Sequence, residues 1–323
     1  LFKTTVDDDT GIVIDSLVFD VSYLAHKYLH ALRRFNTAEG TPSGHVYGSF
    51  KAVKALASSL RPRNLVFAYD RKCEWRQALV ASYKEDRRPK TPDEQSWSPA
   101  PDVERLFRSL PGHHLALPDA EADDMAAWYA LNAPDQRGVV AIVSADRDLW
   151  QLIDDDQKIA VCLVKKPKPK AKSETYWIKA DEVVEEFGVP PKSVARIKAL
   201  LGDSSDSIEG LTGASRPGKK DALRMFATSA EANAYFEPTQ NCPPCSTVPD
   251  WLATELRAQR PRLLANYAIT DLRLASKRYQ PELVYSPGDL TNLMGVLAEF
   301  ECESLLGQAP DLFSLVSDLR KKK

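Results

Sequence analysis

Three carboxylates crowd into four residues of the stretch Leu117-Pro-Asp-Ala-Glu121-Ala-Asp123-Asp124-Met-Ala-Ala-Trp128, and an apolar helical run follows them. On a helix Glu121 and Asp124 share a face, while Asp123 points about a quarter-turn from Asp124. Like charges held this closely repel each other. The helix dipole favours acids in a first turn, so the stretch alone fits a plain helix start as well as a site. Bound divalent cations would make the crowding tolerable, because Mg²⁺ and Mn²⁺ take oxygen ligands.

Further aspartates are delivered by a second device. Ser16-Leu-Val-Phe-Asp20 and Asn64-Leu-Val-Phe-Ala-Tyr-Asp70 are short apolar runs ending in Asp. Gly138–Ser144 is the clearest buried strand, and it runs straight into Asp146-Arg-Asp148. Such near-continuous apolar runs suit parallel strands covered on both faces. Ligands of open parallel sheets bind at the C-terminal edge of the strands. One Asp after a strand is an ordinary turn residue. Asp20, Asp70 and the Asp146/Asp148 pair, taken with the acidic helix, point to one shared site.

The elements that must position these acids alternate along the chain. Helices are expected at about 21–34, from the Thr41–Gly44 turn to about Leu60, at about 102–109, and from Glu121 onward; a short strand is expected at His113–Leu117. Strands alternating with helices imply an α/β fold with a mainly parallel central sheet and right-handed crossovers. Residues 1–15 read as a lead-in, and the Pro-rich residues 89–101 as irregular. The basic, Pro-broken run 165–172 reads as a solvated loop in preference to a DNA contact. Beyond it the chain looks mostly helical, with a helix ending at Arg196–Leu201 and a loop at 237–249.

Composition bounds the class. The 323 residues are 43% hydrophobic and 27% charged, which is ordinary for a globular chain of one large and one smaller domain. No apolar run approaches the ~20 residues of a membrane span, and no signal-peptide pattern opens the sequence. Five scattered cysteines argue for a reducing compartment. Cys242-Pro-Pro-Cys245 has zinc-knuckle spacing, but no second pair completes it, so a loop is expected. Net charge is −2. Setting nine candidate site acids aside turns it to +7, which suits a surface that meets phosphates.

In this order the motifs resemble the 5′-nucleases of the flap-endonuclease type, which include the 5′-nuclease domain of bacterial DNA polymerase I and stand-alone phage and bacterial relatives. Leu17-Val-Phe-Asp20 is similar to the first acidic strand end, Gly44-His-Val-Tyr-Gly48 to the helix start after it, and Phe67-Ala-Tyr-Asp70 to the second acidic strand end. Trp75-Arg76 and Tyr83-Lys84-Glu-Asp-Arg87 resemble the basic segment that opens a helical arch. Glu121-Ala-Asp123-Asp124, Ser144-Ala-Asp146-Arg-Asp148-Leu-Trp-Gln-Leu and Gly202-Asp203-Ser-Ser-Asp206-Ser-Ile-Glu-Gly210 are close matches. Two departures stand out: Asp20 is followed by Val-Ser-Tyr23 in place of Gly-Ser-Asn, and Ser215-Arg-Pro217 is inserted before Gly218.

The resemblance implies a PIN-like nuclease domain over about 16–180 with an arch at about 72–100. It implies a helical region over 181–323 with a helix–three-turn–helix module at about 191–228. It implies two-metal hydrolysis of DNA near 5′ ends, with two Mg²⁺ or Mn²⁺ ions. Asp20, Asp70, Glu121, Asp123 and Asp146 would form the tighter ligand set, and Asp124, Asp148, Asp203 and Asp206 the second. Asp20, Asp70 and Asp146 count as catalytic with Lys84 and Arg87, which would offset charge on the phosphate. Arg76 would be a further phosphate ligand and Tyr83 would stack on a base. Gly210, Gly213, Gly218, Lys219 and Lys220 would hold duplex phosphates, with K⁺ at the three-turn loop. The implied partners are DNA with 5′ flaps, overhangs or nicks, and a separate DNA polymerase. A cytoplasmic monomer of a bacterial or phage-infected cell, without membrane contact, completes the expectation. A haloacid-dehalogenase-type phosphatase would need a second Asp where Ser22 stands. A non-catalytic DNA-binding member of the same fold would be expected to have lost acids, and none is missing.

Overall fold

The computed structural model describes residues 13–87, 97–133, 137–164, 175–213 and 216–321. Its strands are β1 (Ile14–Asp20), β2 (Asn64–Ala68), β3 (Gly112–Leu115), β4 (Val139–Val143), β5 (Ile159–Val164), β6 (Thr175–Trp177), β7 (Gly202–Asp203), β8 (Ile208–Glu209) and β9 (Tyr285–Ser286). Seven of them form one sheet in the order β6-β5-β4-β1-β2-β3-β9, and β7 and β8 form a separate ribbon. The inner pairs β5/β4, β4/β1, β1/β2 and β2/β3 are parallel, while β6 and β9 run antiparallel at the two edges.

Both faces of the sheet are covered, which is why β1 and β4 are buried along their whole length. Successive side chains of a strand point to opposite faces, and the two cores divide accordingly. Val18, Val66, Val140 and Ile142 enter one core; Leu17, Phe19, Leu65, Phe67 and Val143 enter the other. Phe19 and Phe67 sit opposite each other in register and stack with centroids 5.6 Å apart.

The helices in chain order are α1 (Val21–Ala31), α2 (Gly44–Leu60), α3 (Glu74–Leu79), α4 (Ala100–Arg108), α5 (Ala122–Asn132), α6 (Ala180–Phe187), α7 (Val194–Leu201), α8 (Lys219–Thr228), α9 (Ala230–Tyr235), α10 (Asp250–Thr270), α11 (Leu272–Ala275), α12 (Leu290–Glu299), α13 (Glu303–Leu306) and α14 (Ala309–Lys321). The Phe19 face is covered by α1, α2, α4 and α12–α14. The Val18 face is covered by α5, α7, α8 and α10. None of the helices among the described residues is long and apolar enough to cross a membrane.

Expected elements recur with shifted ends: the helix expected at 21–34 stops at Ala31, and the strand expected at 138–144 spans Val139–Val143. Two features depart from expectation. The apolar run Ile159–Val164 adds a parallel strand to the sheet. The chain beyond residue 284 returns to the sheet, where β9 pairs with β3 and α12–α14 cover a face. A single division at residue 180 therefore does not describe the C-terminal segment. Of the expected arch, 88–96 lie outside the described residues, as does the whole of the basic run 165–172. Cys242 and Cys245 stand in the connection between α9 and α10 as free cysteines.

Candidate active site

Strand register brings the first acids together. Asp20 ends β1, level with Ala68 of β2 and one step beyond the Phe19/Val143 pair. It also caps α1, accepting the Tyr23 N–H at 3.0 Å, so one residue stops a strand and starts a helix. Ser144, just past β4, donates its hydroxyl to Asp20 at 2.9 Å and accepts the Asp146 N–H at 3.1 Å. Across the sheet, Asp70 accepts the Ala122 N–H at 2.8 Å and so fixes the start of α5 beside it. The central strand ends are thereby tied to the acidic helix.

Burial and crowding act on Asp20 and Asp123, whereas Asp70 and Asp146 are exposed. Burial pushes Asp20 up to about 7, and the neighbouring charges of Asp70 and Asp146 add to the shift. Burial and then the Asp124 charge hold Asp123 well above the carboxylate range. Unlike a surface acid, Asp20 and Asp123 would ionise readily only with a cation beside them.

The second group is tighter. Oxygens of Asp148, Asp203 and Asp206 lie within 4.8 Å of one another. Asp148 comes from the turn after β4, and the other two flank a single helical turn between β7 and β8. Gly210 permits that ribbon, because a Cβ there would lie 2.2 Å from the Leu201 carbonyl carbon. Burial raises Asp148 to about 6, against the pull of Lys198 and with a push from Asp146. Lys198 pairs with both Asp148 and Asp203. Burial alone would raise Asp203, but Lys198 outweighs it and holds the carboxyl low. Sequence reasoning missed Lys198. Its signal is a lone cation on the buried face of the otherwise apolar turn Ile197-Lys-Ala-Leu-Leu201.

Residues 83–87 bridge the two groups. Lys84 donates to Glu121 at 2.6 Å, and its backbone N–H reaches the Asp206 carbonyl at 2.9 Å. Arg87 donates to Asp206 at 2.9 Å while its side chain stays 57% exposed. Burial works against the Glu121 charge, but Lys84 and Arg76 outweigh it and keep the carboxyl low.

Three expected roles are corrected. Asp124 is fully buried, with both oxygens engaged: Arg76 grips them at 2.8 and 2.6 Å, and the Glu121 N–H adds 3.0 Å. A carboxylate so enclosed caps and anchors α5; it has no face for a metal. Arg76, 1% exposed, spends its remaining donors on Glu121 at 2.9 Å and the Ile269 carbonyl at 3.2 Å. It cannot also meet a DNA phosphate. Tyr83 is 4% exposed and donates to Glu121 at 2.7 Å, in a small core with Trp75, Ile208 and Ile269. No ring face is left for a base. Lys219 is drawn inward to the Leu211 carbonyl at 3.2 Å and Glu255 at 3.3 Å, whereas Lys220, Gly213 and Gly218 are exposed.

The donor set is entirely carboxylate oxygen, which fits hard divalent cations and would not select soft ones. Among the described residues, Asp148, Asp203 and Asp206 are the three acids whose oxygens stand close enough together to share one ion.

The family model of the 5′-3′ exonuclease, N-terminal resolvase-like domain, matches residues 15–188. A 5′-3′ exonuclease of Aquifex aeolicus is 27% identical over 93% of this chain and 96% of its own. DNA polymerase I of Lactococcus lactis is 29% identical over 68% of this chain, but only 25% of its own length is spanned. The bacteriophage T5 D15 flap endonuclease, solved as a pseudo-enzyme–product complex with DNA and metal ions, superposes with a TM-score of 0.57 at 18% identity. The match covers 94% of this chain and 99% of that one.

Proposed function

We propose, from the premise that the chain belongs to the 5′-3′ exonuclease family, that it is a structure-selective 5′-nuclease acting on DNA flaps, overhangs and nicks. Membership makes it a nuclease; the substrate preference, products and residue roles are our reading. The observation that carries it is the convergence of acids from β1, β2, α5, the β4 turn and the β7–β8 turn on one sheet edge.

Two Mg²⁺ or Mn²⁺ ions bound there would supply an activated water and stabilise the leaving oxygen of the phosphodiester. Asp20, Asp70, Glu121, Asp123 and Asp146 would hold one ion, and Asp148, Asp203 and Asp206 the other. Lys84 and Arg87, already turned toward Glu121 and Asp206, would move onto the phosphate and offset the charge that builds on it. Hydrolysis would leave a 5′-phosphate and a 3′-hydroxyl. The exposed backbone at Gly213 and Gly218, with Lys220 at the start of α8, would hold duplex phosphates without reading bases. A DNA polymerase on another chain would use the product, and the protein would act as a monomer.

The test is a labelled 5′-flap duplex incubated with the chain in Mg²⁺ and again in EDTA. Release of a short 5′ product only with metal is expected. Tight binding with no cleavage in either condition would overturn the enzymatic reading in favour of a DNA-binding role.

A further inference from the structure

The connection between α9 and α10 carries Cys242-Pro-Pro-Cys245, and neither thiol takes part in the active site. Cys242 is partly exposed and Cys245 is fully buried, and the two side chains face each other in hydrogen-bonding contact. The Cys245 thiol also reaches the Pro243 carbonyl at 3.4 Å. The other three cysteines are buried and lie elsewhere: Cys73 ahead of α3, Cys162 in β5 and Cys302 ahead of α13.

Both flanking helices hold the turn in this shape. From α9, Glu231 accepts the backbone N–H of Ser246 and of Thr247, each at 3.0 Å, and the Thr247 hydroxyl at 2.9 Å. From α10, Arg257 donates to the Pro244 carbonyl. Pro243 and Pro244 fix two φ angles between the thiols. Cys245 itself has φ +58°, in the left-handed region that favours glycine. A side chain stays in that conformation only where its surroundings hold it, and such positions cluster where a group has to be aimed. The group aimed here is the Cys245 sulfur, and Cys242 is its target.

We propose that Cys242 and Cys245 are a redox modification site, closed to a disulfide by hydrogen peroxide and reopened by a small dithiol. Cys242 reacts first, because its sulfur is the one an oxidant can reach. Burial pushes the Cys245 thiol up to about 12, and the Cys242 thiol beside it adds to the shift, so Cys245 stays protonated near neutral pH. The Cys242 thiolate attacks the peroxide. An S–O bond forms, the O–O bond breaks, and the departing hydroxide takes up the proton Cys242 had lost. The Cys245 sulfur then attacks the sulfenic sulfur. The S–S bond forms, the S–O bond breaks, and the leaving hydroxide takes the Cys245 proton. The two thiols give up two electrons and two hydrogens, and the peroxide becomes two waters. Neither helix has to move, since the turn already sets the sulfurs face to face.

The test treats the reduced full chain with hydrogen peroxide in EDTA, then counts thiols in denaturant and weighs the peptide that spans 242–245. Wild type is expected to fall from five thiols to three, with that peptide lighter by two hydrogens, and dithiothreitol is expected to restore all five. Cys245→Ser is expected to stop at a sulfenic acid on Cys242 that dimedone traps, and Cys242→Ser to keep all its thiols. Wild type that keeps five thiols, that over-oxidises Cys242 without closing the bond, or that pairs Cys242 with another cysteine would overturn the proposal. A dimedone adduct on Cys245 in Cys242→Ser would overturn the order of attack. Melting of unsubstituted protein gives a reading free of any variant's folding defect. The oxidised form is expected to melt no lower than the reduced form, because the bond constrains the unfolded chain and leaves the folded turn in place. A lower midpoint after oxidation would overturn the preset geometry.

Discussion

Arg76 and Arg87 belong to one basic segment and have opposite surroundings. Arg76 lies under the acidic helix start and neutralises a carboxylate that water does not reach. Arg76→Ala would strand the Asp124 charge, so we expect a loss of about 3–5 kcal/mol in urea unfolding. Arg87 is largely exposed, so Arg87→Ala should cost less than about 1 kcal/mol of stability. It should slow single-turnover flap cleavage by about 10²-fold if it offsets phosphate charge. The reverse pattern would exchange the two roles. A pH dependence follows at the same scale. Asp20 and Asp148 have folded pKa values raised to about 7 and about 6. A raised carboxyl binds more protons folded than unfolded, so each weakens the metal-free fold as pH rises from about 4 toward its folded value, by at most about 1.4 kcal/mol per pH unit. Glu121 and Asp203 are held low, and their contribution is lost only as pH falls below the ordinary carboxylate range. Metal-free protein should therefore melt lower at pH 7.5 than at pH 5, and Mg²⁺ should reverse the trend. Equal midpoints in EDTA would contradict this. The sequence made the positions of the acids legible, because apolar runs ending in Asp announce themselves. It could not separate Asp123 from Asp124. That difference depends on Arg76, which is distant along the chain and near only after folding.

At the scale of elements, the β7–β8 ribbon and the loop after it depend on two glycines for different reasons. Gly210 is required by contact, since a Cβ would strike the Leu201 backbone. Gly218 has φ +77° with nothing within 4 Å, so only backbone conformation resists a side chain there. Gly210→Ala should cost more than about 2 kcal/mol and abolish flap binding. Gly218→Ala should cost about 1–2 kcal/mol, the left-handed penalty of one residue. Thermal melting separates the two, and equal losses would refute the contact argument. The strands that carry acids were readable from their apolar runs. The antiparallel edge strands β6 and β9 have three and two residues, too few for any period to register.

Across the whole molecule, a doubly covered parallel sheet fixes strand ends from distant parts of the chain side by side. Asp20, Asp70 and Asp146 gather at its C-terminal edge, and α7 and the β7–β8 turn bring Lys198, Asp203 and Asp206 to Asp148. The acids are tolerated together only where cations meet them: Arg76, Lys84 and Lys198 do so within the chain, and divalent ions would do so at the remaining oxygens. The most direct measurement is Mn²⁺ titration of the metal-free chain followed by electron paramagnetic resonance, comparing wild type with the Asp146→Asn, Asp148→Asn double variant. The account predicts about two bound ions per wild-type chain, fewer in the variant, and flap binding without cleavage in the variant. Wild-type protein that takes up no more Mn²⁺ than the double variant would contradict it.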